Sequence, residues 1–139
     1  MRAAGIDLGR VRVGLAVTDE LGSMAHPRPH LDGSDPGRLV EALVTLAKAE
    51  GIDVFVVGLP RSLSGEEGPG AVSARRFARR LAEESNVRVE LVDEWLTTRE
   101  AATRLRAQGL SDREARSRID SAAAAVMLQS WLDARGDGS

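Results

Sequence analysis

Ala4-Gly5-Ile6-Asp7-Leu8-Gly9-Arg10-Val11-Arg12-Val13-Gly14-Leu15-Ala16-Val17-Thr18-Asp19 is the stretch around which the chain is organised. It reads as two strands joined by a tight turn, because an apolar run broken at Gly9 resumes as Val11, Val13, Leu15 and Val17 with period two. Asp7 lies inside the first strand. Ile6 and Leu8 face the opposite way, so Asp7 shares its face with Gly5 and Gly9, which leave room for another group to approach. Aspartate is depleted in strands, and two readings account for it here. One is an edge-strand carboxylate turned to water; the other is a metal or phosphate site set on a rigid strand.

The chain has 139 residues, 42% hydrophobic and 29% charged, which is enough for one domain with a full core, spanning 1–139. It has no cysteine, so disulfides and thiolate zinc sites are excluded. The first residues lack the basic segment and apolar core of a secretory signal, and no apolar run of about 18 residues exists to span a bilayer. A cytoplasmic protein with no membrane partner is expected. The net charge of −2 says little about partners, but of 19 basic residues only Lys48 is a lysine. Arginine is the better phosphate fork, and the arginines are clustered.

Taken in order, Ala3 to Gly9 and Val11 to Asp19 form a hairpin, and Met24 to His26 add a short third strand. Pro27, Pro29, Asp32-Gly33-Ser34 and Pro36-Gly37 make a connecting loop. Arg38 to Glu50 carries Leu39, Val40, Leu43, Val44, Leu46 and Ala47 at helical spacing and closes at Gly51. Ile52 to Leu59 is a continuous apolar run, as in a strand covered on both faces. Arg61 to Gly70 reads as a surface loop, and Ala71 to Glu84 as a helix burying Ala74, Phe77, Ala78 and Leu81. Val87 to Glu94 is the last strand. Thr97-Thr98-Arg99-Glu100 and Ser111-Asp112-Arg113-Glu114 carry capping-box patterns, and a final helix runs from about Ile119 to Ala134. An antiparallel hairpin followed by helix, strand, helix and strand predicts an α/β fold, a mixed sheet with helices on both faces.

Ligands in such sheets gather at the carboxyl ends of strands, and three acids fit that rule. Asp93-Glu94 ends the last strand, and Asp120 opens the final helix, whose Ala122-Ala123-Ala124-Ala125 run lets it approach the sheet closely. Asp120 then comes beside Asp7 and Glu94. Three such carboxylates repel one another unless divalent cations bind them, and an all-oxygen set suits Mg²⁺ or Mn²⁺. Each piece also has a plainer account. Ser117 to Asp120 fits a helix cap, Glu94 a solvated strand end, and Arg75, Arg76, Arg79 and Arg80 a solvated helix face. His26 and His30 have no metal-ligand neighbours and are assigned no role. The combination of acids, and no single member, favours a functional site.

Gly5-Ile6-Asp7-Leu8-Gly9 through Gly14-Leu15-Ala16-Val17, Val57-Gly58-Leu59-Pro60 with Gly65, Asp93-Glu94 with Leu96-Thr97-Thr98, and Asp120-Ser121-Ala122-Ala123-Ala124 together resemble the YqgF (RuvX) family of ribonuclease H-like nucleases. The resemblance covers nearly the whole chain. It implies a ribonuclease H-like fold with a five-stranded mixed sheet and a divalent-metal nuclease centre of Asp7, Glu94 and Asp120. It also implies a cytoplasmic role in maturing the 5′ end of 16S ribosomal RNA, with Holliday junction resolution on branched DNA as the alternative. Trp95 stands where the family usually has Arg, and Ser62 where it usually has Asn, which bears on substrate contact and removes no carboxylate.

The expected reaction is metal-assisted phosphodiester hydrolysis. Asp7 would bridge two ions and Glu94 and Asp120 would each hold one. Arg12, Arg61, Arg75 and Arg79 are the candidates for nucleic-acid backbone contacts, and Trp95 for base stacking. A monomer acting on single-stranded RNA of a ribosomal precursor is the expected form, since a junction resolvase needs a symmetric homodimer. The Gly5 to Gly9 segment also looks like the phosphate motif of actin-like ATPases and sugar kinases. Those enzymes close two such domains over a nucleotide, and this length supplies one.

Overall fold

The opening stretch folds as β1 (Ala3–Asp7) and β2 (Arg12–Thr18), paired antiparallel with Ile6 opposite Leu15 and Asp7 opposite Gly14. The computed structural model describes residues 1–9, 11–60, 68–93 and 112–137, with side chains of the last helix described over 121–135. The turn depends on Gly9, where a Cβ would collide with the Arg12 carbonyl. A third strand, β3 (Ala25–Asp32), adds antiparallel to β2.

This strand corrects the sequence expectation, which ends it at His26 and puts Pro27 and Pro29 in a loop. The sheet order is β3-β2-β1-β4-β5, so β3 is an edge, where proline is tolerated because one side of the strand has no partner. Ala25 turns its N–H away from β2, donating to Gln129 Oε1 at 2.9 Å. Pro27, two residues on, has the same phase, so its missing N–H falls on the open side. Val13 pairs with Leu31 and Leu15 with Arg28, so Pro29 and His30 together oppose Gly14 in a bulge.

Helix α1 (Pro36–Glu50) starts two residues before the predicted Arg38. Asp35 caps it, accepting from Gly37 and Arg38 N–H at 3.0 and 3.3 Å, and Pro36 suits the first turn. Gly51 ends it at φ 66°, a left-handed conformation open to glycine. The chain then forms β4 (Val54–Leu59), parallel to β1 and buried along its whole length, as its unbroken apolar run predicts. Helix α2 (Pro69–Ser85) and β5 (Arg88–Asp93), parallel to β4, follow.

The last helix, α3, runs Asp112–Asp137, seven residues longer at its start than expected. The segment from 112 to 119 has no proline or glycine to break it, so Asp120 is inside the helix and does not open it. The third helix expected from Thr97 lies outside the described residues, as does the 61–67 part of the surface loop.

Strand alternation divides the core in two. Ala4, Ile6, Val13, Leu15, Val17, Phe55 and Val57 pack with Leu39, Val40, Leu43 and Leu81 from α1 and α2. Ala3, Ala16, Val54 and Val56 pack with Ala124, Met127, Leu128 and Trp131 of α3. Helices therefore cover both faces of a mixed five-stranded sheet, as the element order predicts. A polar knot ties the start of β1 to the end of α1 and to β3. Arg28 grips Glu50 through two bonds of 2.7 and 3.1 Å, and Arg2 adds one of 3.2 Å. Those guanidinium hydrogen bonds, Arg28 first, hold the Glu50 carboxyl below its usual range despite the opposing effect of burial.

Candidate active site

The central strand ends at Asp7. Its face is set by alternation: Ala3 packs in the α3 cluster, Gly5 lies directly under α3, and Asp7 follows in phase. Asp7 is half-buried at the carboxyl end of the strand, beside Gly14 of β2, which has no side chain to crowd it.

The approach of α3 to this strand is close because both sides are small. A Cβ on Gly5 would lie 3.0 Å from the Leu128 Cβ and 3.1 Å from the Ala124 carbonyl oxygen, so α3 rests nearly on the β1 backbone. One turn toward the helix start, Ser121 is fully buried and its Oγ accepts from the Leu15 N–H at 3.1 Å. Leu15 is the residue opposite Ile6. The contacts therefore progress from Leu128 and Ala124 at Gly5 to Ser121 at the level of Ile6, and α3 runs antiparallel to β1. Asp120 belongs to this helix, adjacent to Ser121; its side chain is outside the described residues.

The carboxyl end of β5 is two strands from β1, about 10 Å away at ordinary strand spacing. Asp93, opposite Leu59, is exposed there. Glu94 lies outside the described residues, as do Arg61 and Trp95. Among the described residues no three histidines, aspartates or glutamates gather into a metal-binding group. Two other acids with carboxyls held below their usual range, Asp19 and Asp32, have a local cause: each accepts from a nearby backbone N–H, of Ser23 and Ser34 respectively. They shape turns.

A model of the family described as RuvX, Holliday junction resolvase, matches residues 1–134. A relative from Anaeromyxobacter sp. (strain K), named pre-16S rRNA nuclease, is 47% identical over 135 residues, covering 97% of this chain and 98% of the relative. The chain belongs to the RuvX family. A relative from Chloroflexus aurantiacus with the same name is 37% identical over 130 residues, covering 94% of this chain and 85% of its own.

Among solved structures, RuvC of T. thermophilus in complex with a Holliday junction substrate aligns with a TM-score of 0.64. It is 21% identical and covers 100% of this chain and 98% of its own. A Fowlpox virus resolvase in complex with junction DNA aligns at 0.61, with 12% identity, 97% coverage of this chain and 99% of its own. At these identities the likeness is one of fold, and the fold is ribonuclease H-like, with the mixed five-stranded sheet expected of it.

Within this RuvX chain the described arginines expected at the nucleic-acid backbone lie on separate elements. Arg12 is exposed at the start of β2, opposite Asp32. Arg75 and Arg79 are exposed on α2. Their neighbours Arg76 and Arg80, which carry no binding role in the sequence reading, line a cleft at the strand ends with Ser73 and Phe77. Helical spacing puts Phe77 on the buried stripe, and the side chain does pack against that core while staying half-open at the cleft. Periodicity gives the side of a helix; it does not show where two helices part, and that is what opens Phe77. Ser121 is a positioning group that the sequence reading does not single out. A serine beside an alanine run signals only that a helix can come close.

Proposed function

We propose that this chain is a metal-dependent nuclease hydrolysing phosphodiester bonds, with the 5′ end of the 16S ribosomal RNA precursor as its substrate and residues 1–139 as one nuclease domain. The observation that carries the reading is Asp7, a half-buried carboxylate at the end of the central strand, under a helix that carries Asp120. Relatives at 47% and 37% identity, named pre-16S rRNA nuclease, support the choice of substrate.

The donor set fits a hard divalent cation: Asp7, Glu94 and Asp120 offer carboxylate oxygens only, which suits Mg²⁺ or Mn²⁺. A cation held there supplies Lewis-acid stabilisation of the charge that builds on the phosphate. The protein's own part is placement. Asp7 is fixed by the central strand, the Gly5 contact sets the distance from α3 to that strand, and the Ser121 hydrogen bond ties α3 to the neighbouring β2. Arg12, Arg61, Arg75 and Arg79 are assigned to the nucleic-acid backbone and Trp95 to a base.

A second reading, a junction resolvase, is favoured by the family's description and by the RuvC likeness in fold. It requires two copies, so that opposite strands are cut together. The deciding experiment measures cleavage of a 16S precursor fragment and of a four-way junction in Mg²⁺, Mn²⁺ and EDTA, with light scattering on the same samples. The expected result is RNA cleavage by a monomer, abolished by EDTA and lowered at least about 100-fold in Asp7→Asn, since even outer-shell partners of metal ligands matter on that scale. Paired cuts in the junction by a dimer that spares RNA would favour the second reading. Wild-type turnover in Asp7→Asn would remove the site.

A further inference from the structure

One residue beyond Asp7 the chain enters a concavity on the other face of the sheet. Leu8 and Gly9, with Gly33 and Ser73, are shared by two adjoining pockets of about 340 and 480 Å³. Together they form one cleft between the β1–β2 turn, the start of α1 and the first half of α2. Each part is in the size range of a small-ligand site.

The lining has two chemistries. Leu8, Val13, Leu39 and Phe77 make an apolar floor, and Phe77 is an aromatic left half-open. Arg76 and Arg80, one helical turn apart, make a cationic wall with Ser73 one turn before them. Arg80 reaches toward α1, its Nη2 3.4 Å from where a Gly37 Cβ would be, and is steadied by Glu84 at 2.7 Å. Arg76 is exposed and forms no ion pair with a described residue. Asp35 and Glu84 are the described acids placed near Arg80. Asp35 is engaged in capping α1 and Glu84 in holding Arg80.

A ligand that satisfies this surface needs a flat apolar ring and an anionic group within one helical turn of it. Nucleotides have both, and an aromatic paired with arginines is how unpaired strands are held elsewhere. Leu8 and Gly9 follow Asp7 directly, so the cleft opens at the same end of β1 as the carboxylate but on the opposite face, and a strand that crosses this end of the sheet passes from one to the other. We propose that the cleft binds one unpaired nucleotide of the substrate strand, with its base against Phe77 and its phosphate between Arg76 and Arg80. This rests on the nuclease reading for the strand's presence at Asp7, and it assigns the cleft a preference for single-stranded over fully paired nucleic acid.

The test uses the full chain carrying Asp7→Asn, so that RNA binds without being cut. Fluorescence anisotropy follows a labelled single-stranded RNA across a salt series, in the Arg76→Ala/Arg80→Ala double variant, in Phe77→Leu and in Lys48→Ala. Circular dichroism checks each fold, and Phe77→Leu keeps most of the buried volume. The double variant is expected to bind at least about tenfold more weakly, with its salt slope reduced by about 0.7 for each phosphate it no longer neutralises. Phe77→Leu is expected to lose roughly tenfold through stacking with the slope unchanged, and Lys48→Ala, at the far end of α1, to bind as the parent does. Parental affinity and slope in both cleft variants would overturn the proposal, as would saturation of the cleft by free AMP without effect on RNA binding. Cleavage by the wild-type chain is scored separately. If it cuts no nucleic acid while the cleft variants still weaken RNA binding, the nuclease reading fails and the cleft stands.

Discussion

On the α3 side of the sheet the contact is made almost between backbones: Gly5 lies under Ala124 and the Leu128 Cβ, and Ser121 bonds to the Leu15 N–H. On the α1–α2 side, Phe55, Leu43, Val57 and Leu81 hold the helices off by whole side chains. The two arrangements suit different tasks. A helix seated on glycine cannot press closer without collision or lift away without losing its contacts and the Ser121 bond, so it fixes the distance between a strand residue and its own side chains. A helix pair seated on large side chains leaves leftover volume where those side chains shrink, and at Gly9 and Gly33 that volume is the cleft. The tight face is therefore the one suited to holding acids, and the loose face the one suited to receiving a ligand.

The largest effect should come from removing volume on the loose face. Phe55→Ala, at a fully buried site, is expected to cost about 3–5 kcal/mol in urea unfolding. A value under about 1 kcal/mol, well below that range, would mean that side is not the main core. Adding volume on the tight face sharpens the contrast. Gly5→Ala forces a Cβ to 3.0 Å from Leu128 Cβ and 3.1 Å from the Ala124 oxygen, neither of which can swing aside. It should cost about 1–3 kcal/mol and also slow cleavage by about tenfold or more, because small misplacements of reacting groups are expensive. Full activity in a destabilised Gly5→Ala would separate the close approach from catalysis. The smallest effect is expected from Ser121→Ala, which leaves the buried Leu15 N–H without its acceptor at a cost of about 1–2 kcal/mol. A neutral result there would show that water takes the hydroxyl's place.

Much of this architecture is legible in the amino-acid order. Period two in Val11, Val13, Leu15 and Val17, the unbroken Val54 to Val57 run and the glycine after α1 are local signals, and the elements they predict are present within a few residues. The errors have physical causes. Pro27 and Pro29 read as a loop because proline cannot join a central ladder, and an edge strand relaxes that rule. Asp120 reads as a cap because its spacing from Ser117 mimics one, although nothing in the preceding segment breaks a helix. Of the site, Asp7 stands out as a strand carboxylate between glycines. The cleft does not, because it arises where three elements part, and Arg76 and Arg80 differ from Arg75 and Arg79 only by which of those elements they face.

The outer strand has a bearing on how this molecule meets its own copies. Sheets merge when an unpaired edge offers a row of donors and acceptors to another chain. Along β3, Ala25 has already committed its outward N–H to Gln129, and Pro27 and Pro29 have none to give. The bulge at Pro29 and His30 also bends the rim away from a straight template. A neighbour attempting to add a sixth strand there would gain few main-chain bonds, so crowding in a cell has little with which to zip these sheets together through β3. Truncating the Gln129 amide or replacing either proline would remove part of that protection against fibrous or swapped assemblies.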